Sequence, residues 1–291
     1  MNERYSFIAE HSKQFSVKKM ARIQKVSTSG YYDWLKREAS PRMVENEKIY
    51  HDIEEIFIGS RHSMGARRIA SELTKIYGRP INRKRVQRLM NENGLMPKGR
   101  KKFVVTTDSS KTVTVFPNIL KRDFTAEARN MKMVSDTTYI YTKEGWLYLA
   151  AIMDLYGRKI VGMAVSEHND EELVIAALKD VQRRLGRKKL MGCILHSDRG
   201  STYASNEYIK LIKDLKMKGS MSRKGNCWDN APIESFWGRM KVEWLEKVYE
   251  TRQDAIDDIY EYIWAYYNRS RLHSTNGYRT PEEVYSSKAA A

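Results

Sequence analysis

Apolar positions recur at helical intervals over the N-terminal third of the chain, then give way to denser, strand-like runs after Arg129. Val17 to Val26 carries its apolar residues with helical spacing, and Ser16 stands where a cap belongs. Gly30 precedes a second short helix, Tyr31 to Arg37. Pro41 breaks the chain before a longer helix with Ile49, Ile53, Ile56 and Phe57 on one face. Gly65 to Leu73 reads as a short amphipathic helix, Tyr77-Gly78-Arg79-Pro80 as a turn, and Asn82 as the cap of Arg83 to Met90, which Gly94 ends. Two short helices joined by a tight turn, the second rich in Arg and Lys, form a helix-turn-helix pattern over about 65–94. On that pattern Arg67, Arg68, Arg83, Lys84, Arg85 and Arg88 are candidate DNA contacts. The competing reading is an ordinary helical pair with a solvated basic face.

Beyond Arg129 the pattern changes class. Met133 to Tyr141, Trp146 to Leu155 and Lys159 to Val165 read as a meander of three strands, with Tyr156-Gly157-Arg158 as the second turn. Asp170 to Leu185 is an amphipathic helix, Leu190 to Leu195 a buried strand, Tyr203 to Leu215 a helix, Lys218 to Ser222 a strand and Asn230 to Val248 a long helix. The order β-β-β-α-β-α-β-α predicts a mixed α/β sheet with helices on its faces. The expected division is a helical region over 1–97, a basic and polar linker over 98–124, the α/β core over 125–248 and a helical C-terminal extension over 249–291. In the extension, Tyr and Trp over 260–267 read as core or subunit packing, and Thr280-Pro281-Glu282-Glu283 as a capped helix start.

Charge sharpens this division. The 291 residues carry a net +16, but 23 basic and 11 acidic residues fall in 1–102, a net of +12 against +4 for the remainder. A polyanion, DNA or RNA, is the expected partner of the first third. No apolar run is long enough for a membrane span, and the N-terminus lacks the apolar stretch of a signal peptide, so a cytosolic location is expected. Two cysteines, Cys193 and Cys227, form neither a disulfide scaffold nor a zinc module.

Three acids stand where acids are not the default. Asp136 lies inside an apolar strand, although strand interiors are depleted in Asp. Asp198 directly follows the strand Cys193-Ile194-Leu195, at the strand end where α/β sheets place their chemistry. Glu234 opens the long helix. At about 100° per residue, Ile233, Trp237, Met240 and Trp244 share the core face of that helix, and Glu234, Gly238 and Lys241 form a stripe along its edge. Three carboxylates converging from these places would make a hard oxygen site suited to Mg²⁺ or Mn²⁺. Two such ions are a known solution for phosphodiester chemistry. Each acid taken singly is more simply a capping or surface carboxylate; the basic first third weakens that explanation.

The motifs Ser135-Asp136-Thr137-Thr138-Tyr139-Ile140, His196-Ser197-Asp198-Arg199-Gly200-Ser201-Thr202-Tyr203 and Ser222 through Glu234 resemble those of the DDE transposases and retroviral-type integrases. The likeness is closest to the second reading frame of the insertion sequence three family. The 35 residues between Asp198 and Glu234, Lys241 seven after Glu234, the tail Tyr267-Asn268-Arg269-Ser270-Arg271-Leu272-His273 and the following Thr280-Pro281 all match. Pro117-Asn118-Ile119-Leu120 matches more loosely. The resemblance implies an RNase H-like core and Asp136, Asp198 and Glu234 as ligands of two Mg²⁺ ions, with Mn²⁺ able to substitute. It implies nicking of transposon-end DNA and joining of the 3′-hydroxyl to target DNA. Assembly as a dimer or more on paired ends, and a partner protein from the overlapping upstream frame, are also implied. One departure is Met133, where the family commonly has Trp; Asp154 is therefore the reserve for Asp136.

Around the site, His196 is either near the metals or a satisfied core histidine. Arg223, Lys224, Lys241 and Arg239 are candidates to hold the DNA backbone. Trp228 is expected to fold back onto the core rather than stack on an unpaired base. A DNA-binding regulator with an inert core and a stand-alone RNase H-type nuclease are the rival readings. The three acids weigh against the first, and the basic arm against the second.

Overall fold

The computed structural model describes residues 2–38, 40–99, 116–223, 227–245 and 247–287. Three short helices come first: α1 (Asn2–His11), α2 (Val17–Ile23) and α3 (Thr28–Lys36). They enclose a small core of Tyr5, Ile8, Met20, Ala21 and Tyr31. Gly30 lies inside α3 rather than before it. Ser27 is the cap, its hydroxyl accepting from the Gly30 N–H at 3.0 Å. A Cβ at position 30 would come within 2.6 Å of the Tyr5 hydroxyl, so this glycine serves close packing, not helix termination.

Next come α4 (Pro41–Gly59), α5 (Ala66–Tyr77) and α6 (Arg83–Glu92). Gly78 takes φ +61° at the end of α5, and the Asn82 side chain caps α6 by accepting from the Lys84 N–H at 2.8 Å. Ile49, Ile53 and Phe57 of α4, Ile69 and Leu73 of α5, and Val86, Leu89 and Met90 of α6 are all buried. These side chains run into one continuous apolar core with Trp237, Met240, Tyr262 and Tyr266 far along the chain. The seam between them is polar as well. Arg61 pairs with Asp258 and Glu261, Arg68 with Glu243, and the Ser63 and Tyr266 hydroxyls meet at 2.7 Å.

The sheet has five strands in the order β3-β2-β1-β4-β5. They are β1 (Lys132–Thr142), β2 (Gly145–Asp154), β3 (Lys159–Ser166), β4 (Ile194–Ser197) and β5 (Lys218–Met221). β1 to β3 form the antiparallel meander, and β4 and β5 run parallel to β1. The helices α7 (Glu171–Leu185) and α8 (Asn206–Asp214) cover one face with a core that includes Met133, Val181, Leu195 and Tyr208. Met133 is fully buried, so it fills the position the resemblance gives to Trp. β4 begins four residues later than the sequence pattern suggests. Leu190 ends a 3₁₀ turn and Gly192 takes φ +79°, which delays pairing with β1 until Ile194.

The other face is covered by α9 (Ala231–Glu243). This helix stops well short of Val248, because Trp244 leaves helical geometry and its ring stacks on Tyr266 at 4.8 Å. The helix α10 (Arg252–Tyr260) continues into a π-helical segment, Glu261–Tyr267, closed by a bond from the Asn268 N–H to the Ile263 carbonyl. α11 (Pro281–Ser286) is capped by Thr280, whose hydroxyl accepts from the Glu283 N–H. No helix among the described residues is long and apolar enough to cross a membrane.

Candidate active site

The parallel register of β1 and β4 sets Val134 beside His196, so Asp136, two residues on in β1, lies next to the end of β4, where Asp198 follows. α9 packs over β1 and carries Glu234 in its first turn. Two side chains fasten it there. The Trp237 indole N–H donates to Asp136 Oδ2 at 3.0 Å, and Asn230 Nδ2 donates to the Ser135 carbonyl at 3.1 Å. Asp198 Oδ1 accepts from the Gly200 N–H at 2.9 Å, which fixes the loop that leaves the strand.

Asp136 and Glu234 both feel the charge of Asp198. Asp136 is held well above the usual carboxylate range by burial, then by the charge of Asp198, and to a smaller degree by Glu234. Burial raises Asp198, and burial followed by the Asp198 charge raises Glu234. Lys241 is pulled down by burial against the opposing influence of Asp136, and its ammonium lies 4.6 Å from the Tyr139 ring centre. Negative charge is thus gathered with little cation to offset it. Among the described residues, no three His, Cys, Asp or Glu side chains are grouped to hold a metal ion. The three acids share a field rather than a finished cage.

Asp154 has a different environment. It is fully buried, and its two oxygens accept from the Asn130 and Tyr156 N–H groups at 2.8 and 2.9 Å. Burial pushes it up to about 6. It ties a turn to the strand start, which is a structural task.

The remaining candidates separate clearly. His196 is buried, with Nδ1 2.8 Å from the Ser220 hydroxyl and Nε2 3.2 Å from that of Ser222, and burial lowers its pKa to about 4. It is a satisfied core histidine. Trp228 does not fold back onto the core; it is 68% exposed in the 3₁₀ turn before α9. Its neighbours explain this. Asp229 and Asn230 are buried instead, and Asp229 collects Asn118, Arg122 and Arg223, which turns the intervening indole outward. Burial opposes ionisation of Asp229, but those arginines outweigh it and hold the acid far below the usual range. Lys224 lies outside the described residues.

Sequence reasoning missed the Asp229 hub and the Trp237 bond to Asp136. The second had a signal: Trp237 stands three residues after Glu234, on the flank of α9 that turns toward β1. In the helix-turn-helix, Arg67, Arg83, Lys84 and Arg88 are exposed. Arg85 instead binds Glu45 and Asn46, and Arg68 binds Glu243 and the Ser63 carbonyl.

Residues 126–227 match the family described as "Integrase core domain", residues 215–281 match a second so described, and residues 45–103 match "HTH-like domain". Among solved structures, the HTLV-2 integrase catalytic core domain in complex with magnesium is 16% identical, with a TM-score of 0.43, over 54% of this chain and 97% of that one. The "Insertion element IS600 uncharacterized 31 kDa protein" of Shigella sonnei is 42% identical over 275 residues, 93% of this chain and 100% of that protein. The "Transposase InsF for insertion sequence IS3A" of Escherichia coli (strain K12) is 36% identical over 283 residues, 96% and 97% of the two chains. With the helical arm, the mixed sheet and that degree of identity across almost the whole length, the chain belongs to the IS3 family of insertion-sequence transposases.

Proposed function

We propose that this chain is a DNA transposase that nicks the ends of its insertion sequence and joins the freed 3′-hydroxyl to another DNA strand. The observation that carries the reading is that Asp136 and Glu234, arriving from mid-strand and helix, are both raised by the charge of Asp198 at a strand end. Hard carboxylate oxygens crowded against their own repulsion fit divalent cations in type and charge. Asp136 and Asp198 make the preformed pair, and Glu234 closes toward them to complete the set. Two Mg²⁺ ions held there, with Mn²⁺ as a substitute, would supply Lewis acidity for phosphodiester exchange. Trp237 fixes one Asp136 oxygen, and the Gly200 N–H fixes one Asp198 oxygen, which orients both acids. Lys241, two turns beyond Glu234, holds an adjoining phosphate. Residues 1–97 bind transposon-end DNA, 98–124 link them to the 125–248 core, and 249–291 brace the core. The protein acts as a dimer or more on paired ends, with target DNA as second substrate and the upstream-frame protein of its element as partner.

The test is Asp198→Asn in the full chain with duplex carrying the element's end. Magnesium-dependent nicking is expected to disappear while binding of that duplex persists. A variant that still nicks would remove Asp198 from the reaction and the reading with it.

A further inference from the structure

The tail motif that runs from Tyr267 to His273 is not absorbed by the carboxylate site. Its fixed points are clear. Asn268 is buried and exchanges two 3.0 Å bonds with the Ile160 backbone of β3; the Tyr267 hydroxyl donates to the Arg158 carbonyl, and Asn276 Nδ2 to that of Gly157. The tail is thereby pinned to the β2–β3 turn. Pinned there, it closes a cavity of about 510 Å³ between the start of α5, the outer flank of α9 and the tail itself.

The walls of this cavity are one-sided in charge. Arg67, Arg68, Arg158, Arg239 and Arg271 line it, and no Asp or Glu among the described residues does. Glu243 is buried behind the wall and shared between Arg271 and Arg68. Arg68 Nη1 is enclosed without a hydrogen-bond partner. His273 registers the field: burial first, then Arg271, Arg158, Arg239 and Arg68, lower it to about 4, so it is neutral at pH 7. Ser235 and Thr275 add hydroxyl groups to the lining. Guanidinium forks with hydroxyls are the chemistry of phosphate recognition, and the volume suits a sugar–phosphate unit more than a lone anion. Ser235 and Arg239 lie about 100° and 140° around α9 from Glu234, so the cavity opens on a flank of the helix turned away from the acids.

We infer that this arginine-lined cavity grips the sugar–phosphate backbone of DNA on the flank of α9 away from the carboxylates. The inference rests on the transposase reading only for naming DNA as the polyanion. Its test is the salt dependence of end-duplex affinity for the full chain, for Arg67→Gln/Arg239→Gln and for Ser235→Glu. Ser235→Glu keeps every arginine and places an anion in the cavity, and it carries the test if the double variant fails to fold. Weaker binding is expected in both variants. In the double variant, the slope of log affinity against log salt should be shallower by roughly one to two, with the wild-type melting temperature retained. Unchanged affinity and slope in folded variants would overturn the inference while leaving wild-type nicking, and so the proposed function, untouched. Conversely, loss of slope in a protein that never nicks would spare the inference and end the transposase reading. If inorganic phosphate raises the melting temperature of wild type alone while DNA slopes are equal, the cavity is a small-anion site and the inference also falls.

Discussion

Glu234 and Glu243 stand near opposite ends of one helix and have opposite fates. Glu243 is 3% exposed, yet its carboxylate receives both Arg271 nitrogens at 2.6 and 2.7 Å, the Tyr262 hydroxyl at 3.2 Å and Arg68 at 3.5 Å. Burial opposes its ionisation, but Arg271 outweighs burial and leaves it below the ordinary value. Glu234 is raised by burial and by Asp198, with no arginine among the causes. A carboxylate with a structural task comes with its cations from the same chain. Under the proposed function Glu234 awaits a ligand and is left short of them, and the fold bears the repulsion.

Changing each glutamate tests that contrast. The largest effect is expected for Glu234→Gln: end-nicking in Mg²⁺ should fall by at least about a hundredfold, the scale set by the several kcal/mol of charge stabilisation that a metal supplies. Unfolding should change little, and a variant nicking within a few-fold of wild type would take Glu234 out of the site. Glu243→Gln should do the reverse. It strands the buried Arg271, so denaturant unfolding should show a loss of about 3–5 kcal/mol; a loss under about 1 kcal/mol would mean that the pair is not the anchor its geometry indicates.

A smaller effect concerns the metal-free fold. Asp136→Asn keeps an oxygen for the Trp237 N–H but removes a repelling charge, so the melting temperature without metal should rise at pH 7. Mg²⁺ should raise wild type more than this variant; equal shifts would mean that the ion binds elsewhere. The smallest effect lies in pH dependence. The pKa of Glu243 is lowered on folding, so its stabilisation is present above the unfolded value of about 4.3 and lost as pH falls through the folded one. That of Glu234 is raised, so its contribution is best below about 4.3 and is lost as pH rises through the folded value. Melting curves from pH 3 to 8 should therefore lose part of their acid limb in Glu243→Gln and gain slightly at neutral pH in Glu234→Gln. The same slope change in both would erase the distinction.

Much of this was legible because it is local. The Asn82 and Thr280 caps, the Gly78 turn and the core face of α9 follow from spacing and turn chemistry alone. The acids were legible as misfits, being charges in apolar surroundings. What failed depends on partners remote in sequence. Nothing near Arg68 in the chain announces that Glu243, 175 positions away, engages it. Trp228 was expected to pack inward, but its neighbour Asp229 takes the interior place by recruiting Asn118 and Arg122 across more than a hundred positions. Gly30 and the early stop of α9 failed for the same reason: Tyr5 and Tyr266 decide them, and neither is a near neighbour in the chain.

The seven-residue π segment sets a tolerance on length. Five α-helical steps would turn Tyr267 about 140° from Tyr262, yet both rings are buried, with centroids 6.0 Å apart. The wider winding absorbs a residue that an ordinary helix has no room for. Deleting one residue between 261 and 267 would restore regular pitch and rotate everything after it, carrying Asn268, Arg271 and His273 away from their sockets. Substitution along this stretch should be far better tolerated than a change of one in its count, and natural variation here is expected to spare the number of residues even where it replaces the residues themselves.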